Sequence, residues 1–68
     1  MASDLVVIYT TNKAYEAELA RQMLTGHDIK SFIVNKQDST YKFGDIELFV
    51  HRDDVIRAKM LIREFEEN

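Results

Sequence analysis

Short apolar runs alternate with longer amphipathic stretches along the chain, and their periods predict strands and helices in turn. The apolar runs at 5–9, 29–35 and 46–50 are rich in β-branched and aromatic residues, which is typical of strands. Over 12–25 and again over 55–65, apolar residues recur every three or four positions, which predicts two amphipathic helices. The predicted element order is therefore β-α-β-β-α.

Polar residues mark the expected ends of both helices. The segment 10–12 (TTN) favours helix caps over strand pairing, so we expect it to precede the first helix. Gly26 is predicted as the left-handed residue just past the end of that helix. Asp53 or Asp54 is expected to cap the second helix, where a carboxylate meets free N–H groups.

This order predicts an α+β fold, a two-layer sandwich with both helices on one face of a three-stranded sheet. If the first two strands are parallel, a right-handed crossover places the first helix on one face of the sheet. A third strand between them, antiparallel to both, then places the second helix beside the first. The strand order is then 1-3-2, a ferredoxin-like unit that lacks its usual fourth strand, and the other sheet face is open to water. We expect one domain over residues 1–68, and the first strand reads as covered over much of both faces.

The helical and strand periods also predict which apolar residues are buried. Tyr15, Ile56 and Met60 fall off the inward-facing stripes, and we expect them on the surface. The residues predicted to be largely buried are Ala20, Leu24, Ile46, Leu48, Ala58, Leu61 and Ile62.

Composition narrows the classes of function. The 68-residue chain has no cysteine, which rules out disulfides and Cys-ligated zinc. Its net charge of −3, with acids and bases interspersed, disfavours nucleic-acid binding, which needs a basic stripe. The longest apolar run, 5–9, is far too short for a membrane span, so we expect no membrane association and a cytoplasmic location.

Catalytic and metal chemistry find little support in the sequence. His51 and the carboxylates that follow it read as a strand end and a helix cap, and His27 reads as part of a turn, so no metal site is predicted. Ser31, Ser39 and Thr40 have no base at a spacing that would activate them as nucleophiles. We therefore expect neither a cofactor nor an enzyme.

The polar segment 35–44 is the first candidate binding site, because loops on a rigid scaffold often carry function. Within it Tyr41 and Phe43 are aromatics of the kind that anchor interfaces, and Gln37 and Asp38 accompany them as candidate partner-binding residues. The alternative is that Phe43 covers a sheet edge and Tyr41 begins the third strand early.

The turn before the first helix is the second candidate. Free N–H groups at a helix start, with the side chains of Thr10, Thr11 and Asn12 and the charge of Lys13, could hold a phosphate or carboxylate. Ordinary helix capping by Thr11 or Asn12 explains the same residues and is the commoner arrangement.

A resemblance covers nearly the whole chain, although its matched motifs concern packing and turns, not chemistry. They are 7–12 (VIYTTN), Ala14, 16–18 (EAE), Leu24, Gly26, Ile29, 32–35 (FIVN), 44–48 (GDIEL), Asp53, Asp54, Ala58 and Leu61. With these motifs the chain resembles the putative prokaryotic signal-transducing protein family. The resemblance implies a fold similar to that of the nitrogen-regulatory PII proteins without their last strand, and by analogy a regulatory or interaction role. The chain departs from the pattern at 36–43, where relatives often carry proline and more glycine.

The sequence as a whole predicts a small, non-enzymatic regulatory domain that binds another protein, not yet identified. A sensor of a small metabolite or anion, using the start of the first helix, is the alternative. The first strand lies at a sheet edge with little protection, so two copies could pair there. The monomer is slightly favoured because two acidic copies repel each other.

Overall fold

The computed structural model describes residues 4–36 and 46–67. A 3₁₀ turn, Arg52–Asp54, leads directly into the second helix. The element order β-α-β-β-α is the predicted one. The elements are strands β1 (Leu5–Thr11), β2 (Ser31–Asn35) and β3 (Ile46–His51), and helices α1 (Ala14–Gly26) and α2 (Val55–Glu67).

The three strands form one sheet in the order β1-β3-β2, with β3 antiparallel to both neighbours. This confirms the predicted α+β fold and strand order. Alternation along β3 explains the layering, because Ile46, Leu48 and Val50 are buried while the residues between them are only half-buried. β3 is the central strand, and β1 and β2 are its two outer neighbours.

Both helices pack on the buried face of the sheet. Ala20 and Leu24 of α1 meet Ala58 and Ile62 of α2 in one apolar cluster over the central strand. Burial is confirmed for the residues predicted to be in the core except Leu61, which is half-buried. Leu61 lies at the margin, where α2 passes the end of α1 beside His27 and Arg57, so one side of it meets solvent.

β1 is longer than predicted. Thr10 and Thr11 belong to the strand, where they pair with Glu47 and Ile46, and do not form a turn before the helix. Threonine is β-branched and fits a strand well. Because β3 extends alongside Thr10 and Thr11, both residues pair with it. The register shifts between Val7 and Tyr9, which places a bulge in this outer strand.

The end of α1 also differs from the prediction. Gly26 is the last residue of the helix, and its φ is not positive. The left-handed residue is Asp28, with φ of 64°, a conformation that aspartate tolerates better than most side chains. The amide of Ile29 donates to the Leu24 carbonyl, so the chain turns sharply and β2 starts at Ser31 instead of Ile29.

The start of α2 is tied to the start of β1. The amide of Arg52 donates to the carbonyl oxygen of Asp4 at 2.7 Å. Neither Asp53 nor Asp54 is the predicted cap, because both lie within the 3₁₀ turn and His51 precedes it at the N-cap position without a side-chain hydrogen bond. Their negative charge is still favoured at this N-terminal end of the helical segment.

Candidate functional site

The sheet face opposite the helices carries a row of apolar side chains across all three strands. Val7 of β1 and Phe32 of β2 both pair with Phe49 of β3, so the three side chains stand side by side. Leu5 and Val34 extend the row along the two outer strands, since residues two apart in a strand share a face. These five residues form what we call the open-face patch.

Much of the open-face patch is exposed. Leu5 and Val7 are each 37% exposed, Phe32 is 39% exposed and Val34 is 41% exposed, while Phe49 at the centre is half-buried. Single exposed apolar residues are normal on a protein surface, but a contiguous group of them is typical of an interaction site. This corrects the expectation that β1 is covered over much of both faces.

Polar side chains border the open-face patch at both ends of β3. His51 stacks edge-on against Phe32, with ring centroids 5.6 Å apart and planes at 88°. At the other end, Lys36 Nζ lies 3.3 Å from Glu47 Oε1. The patch is thus an apolar strip with a polar border, which is the usual anatomy of a protein interface.

A shallow groove lies on the helix side of β1, between the start of α1 and the end of α2. Tyr9 and Phe65 are half-buried in it, with ring centroids 6.0 Å apart and planes at 86°. Tyr15 and Leu19 are 61% and 51% exposed. We call it the Tyr9 groove; the residues that line it are Tyr9, Tyr15, Glu16, Leu19, Phe65 and Glu66.

Negative charge dominates the electrostatics of the Tyr9 groove. Burial raises the pKa of the Tyr9 hydroxyl, and the charges of Glu16 and Glu66 raise it further. A hydrogen bond with Thr11 lowers this pKa and one with Glu16 raises it, the net direction being upward. The phenol therefore stays neutral beside the two carboxylates.

The predicted anion-binding residues cluster at the junction of β1 and α1. The backbone N–H of Lys13 donates to the Thr11 hydroxyl oxygen at 3.1 Å, and the Thr11 hydroxyl donates to Glu16 Oε1 at 2.7 Å. Thr10 and Asn12, the neighbours of Thr11 in the chain, are both exposed. The Thr11 hydroxyl therefore already donates to a carboxylate of the chain, that of Glu16. The negative charge of Glu16 would repel an anion that approached this hydroxyl.

The other predicted partner-binding residues lie outside the described residues. Gln37, Asp38, Tyr41 and Phe43 all fall between 36 and 46, so their role stays a prediction. Across 4–36 and 46–67, no three His, Asp or Glu side chains come together in a way that could hold a metal ion. Within the same ranges, neither helix is long and apolar enough to cross a membrane.

Sequence reasoning found some of these surface residues and missed others. Tyr15, Ile56 and Met60 are exposed as predicted, at 61%, 77% and 61%. The open-face patch was missed because runs of consecutive apolar residues conceal which alternate residues face solvent. The patch could be recognised only from the strand register, which pairs both Val7 and Phe32 with Phe49.

The sequence of the chain matches a known protein family. A family model described as "putative prokaryotic signal transducing protein" matches residues 5–66, which is most of the 68-residue chain. The chain belongs to this family. The match confirms the resemblance drawn from the sequence, and it runs from the first residue of β1 into the last turn of α2. No curated protein and no solved structure matches the chain significantly.

Proposed function

We propose that this family member is a non-enzymatic regulatory domain that binds another protein through the open-face patch, in a bacterial cytoplasm. The observation that carries the proposal is the apolar row formed by the half-buried Phe49 and the exposed Val7 and Phe32 on either side of it. Burial of apolar surface stabilises a protein by roughly 25 cal/mol for each Å² removed from water, and these exposed side chains forgo that free energy. A protein surface that covers this row recovers that free energy, and the family description supports a signalling setting.

The size of the face favours a different protein over a second copy stacked face to face. Three strands spaced about 4.8 Å apart and six residues long give a face of roughly 14 by 20 Å, or about 280 Å². A stable interface buries about 800 Å² on each partner. The patch therefore supplies the apolar centre of an interface, and its partner must also reach the polar border and the sheet edges.

The alternative, an anion or metabolite sensor at the start of α1, has less support. Its main hydroxyl, that of Thr11, already donates to Glu16, and the acidic Tyr9 groove lies next to it. A sensor would be stabilised by its ligand in proportion to ligand concentration. We expect inorganic phosphate and acetate at millimolar concentrations to leave the melting temperature unchanged.

The proposal is tested by affinity capture from bacterial lysate with three forms of the protein as bait. The open-face variant carries Val7→Thr and Phe32→Thr, because threonine keeps strand propensity while removing apolar surface. The control carries Ile56→Gln and Met60→Gln, which replace two apolar residues of α2 that are more exposed than Val7 and Phe32. Glutamine is a good helix former, so α2 is retained.

We expect the parent and the control to retain the same partner at near-equal molar ratio, and the open-face variant to lose it. If the control loses the partner and the open-face variant retains it, the binding surface lies on α2 and not on the open face. Equal retention by all three forms would overturn the proposal. Circular dichroism and melting curves of each bait confirm that the substitutions leave the fold intact.

A further inference from the structure

The Tyr9 groove has a chemical preference of its own, separate from the apolar character of the open face. Tyr9, Tyr15 and Phe65 contribute three aromatic rings, and Glu16 and Glu66 contribute two carboxylates. Of the described residues, no lysine or arginine lines the groove. Aromatic faces and carboxylates both attract cations, the first through the ring quadrupole and the second through charge.

The two carboxylates are not equivalent, and the difference matters for binding. Glu16 is half-buried and accepts a hydrogen bond from Thr11, so one of its oxygens is engaged. Glu66 is exposed in the last turn of α2. Both charges act on the Tyr9 hydroxyl, whose pKa they raise, so the negative potential reaches the middle of the groove.

The open shape of the groove suits a side chain that enters it from a partner's surface. Its volume is about 410 Å³, near the lower end of the roughly 300–1,000 Å³ range of ligand pockets. The groove is open to solvent, and Tyr15 and Leu19 stand well exposed at its margin. Because it is open, the groove fits a flat side-chain head that lies on a ring better than a deeply enclosed metabolite.

We propose that the Tyr9 groove binds an arginine side chain of the partner protein, with the guanidinium lying on the aromatic rings and facing Glu66. Arginine fits better than lysine because a planar guanidinium stacks on rings and donates in parallel to a carboxylate. The inference rests on the proposed function only in taking the cation to belong to a protein partner. The net charge of −3 also favours a basic segment over an acidic one.

The position of the groove explains how one partner could use both surfaces. Tyr9 belongs to β1, an outer strand whose far edge has no neighbouring strand in the described sheet. The open-face patch lies on one side of that strand and the Tyr9 groove on the other. A segment that passes the β1 edge therefore has the apolar strip on one side and the carboxylates on the other.

The test uses N-acetyl-arginine amide as the probe and N-acetyl-citrulline amide as its uncharged analogue of nearly the same shape. Each is titrated into the ¹⁵N-labelled protein while amide chemical shifts are recorded. We expect saturable, millimolar binding of the arginine probe, with shifts concentrated at Tyr9, Tyr15 and Glu66. The citrulline probe should cause shifts at least about threefold smaller, because cation–π and charge attraction are lost.

Matched variants assign the effect to the groove. Glu66→Gln should weaken binding of the arginine probe about two- to fivefold, the usual effect of removing one charge at an exposed site. Glu67→Gln makes the same charge change at the next residue, which does not line the groove, and should leave binding within about 1.5-fold. Tyr15→Leu keeps an apolar side chain without a ring and should weaken binding about two- to fivefold.

Three results would overturn the inference: equal shifts with both probes, shifts spread over the whole acidic surface, or equal effects of Glu66→Gln and Glu67→Gln. This failure is distinguishable from failure of the proposed function. Partner capture depends on Val7 and Phe32, whereas probe binding depends on Glu66 and Tyr15. If the arginine probe does not bind the Tyr9 groove, the result of the partner capture with the open-face variant still stands.

Discussion

At the scale of single residues, Gly26 lies at the end of a helix, yet its backbone conformation does not require glycine. It lies in the last turn of α1 without a positive φ, and a Cβ built on it meets no atom within 4 Å. Alanine in its place reduces the entropy of the unfolded chain and improves helix propensity. Gly26→Ala should raise the free energy of unfolding by about 0.5–1 kcal/mol in urea titrations. A decrease would show that the residue adopts another conformation in solution.

Tyr9 gives a prediction about pH, because burial and its acidic neighbours raise the pKa of its hydroxyl in the folded protein. Below about pH 10 the phenol is neutral in both states, so the stability it contributes is fully present. Above that pH the unfolded state loses its proton first, so stability falls as pH rises through the higher, folded-state pKa.

The measurement compares the parent with Tyr9→Phe, which keeps the ring contact with Phe65 and removes the ionisable group. In urea titrations from about pH 9 to 11, the free energy of unfolding should fall more steeply in the parent than in the variant. Tyr15 and Tyr41 are present in both proteins and cancel in the comparison. Parallel curves would contradict the assigned shift.

At the scale of elements, β3 holds the sheet together. Leu48 at its centre is completely buried and pairs with Tyr9 on one side and Ile33 on the other. Leu48→Ala should lower the free energy of unfolding by about 2–5 kcal/mol. Leu19→Ala makes the same chemical change at a half-exposed position on α1 and should cost less than about 1 kcal/mol. Equal losses in the two variants would show that β3 is not central.

The sequence predicted the elements well and their ends less well, for a physical reason. Periodicity reports which face of an element is apolar, and this is enough to identify β3 and the stripe of α2. The ends depend on tertiary pairing, as Thr10 and Thr11 show by joining β1 because β3 extends alongside them. The turn after α1 depends on Asp28 and not on Gly26, a choice that local preferences alone do not determine.

The candidate sites were less predictable, because they arise from residues far apart in the chain. The row of Val7, Phe49 and Phe32 exists only in the observed strand register. A shift of one strand by one residue would turn its side chain in the row to the other face of the sheet. The Tyr9 groove likewise combines a strand residue with Glu16 and Glu66 from two helices. Sequence spacing suggested a site at the start of α1, and the fold supplies the carboxylate that makes its neighbourhood acidic.

At the scale of the whole molecule, the outer edge of β1 bears on the oligomeric state. The bulge between Val7 and Tyr9 interrupts the regular ladder, and bulges protect sheet edges from pairing with another copy. We therefore expect the parent to sediment as an 8.0 kDa monomer at high micromolar concentration. Val7→Lys should sediment identically. A parent dimer that this substitution dissociates would show instead that two copies pair through β1.

The central claim, that the open-face patch is the binding surface, is tested most directly by affinity. Once the captured partner is purified, calorimetric titration gives its Kd for the parent, for the Val7→Thr/Phe32→Thr variant and for the Ile56→Gln/Met60→Gln control. The account predicts at least roughly tenfold weaker binding by the first variant, as expected for loss of an aromatic anchor. It predicts a control Kd within about twofold of the parent. Parent-like affinity in the open-face variant would contradict it.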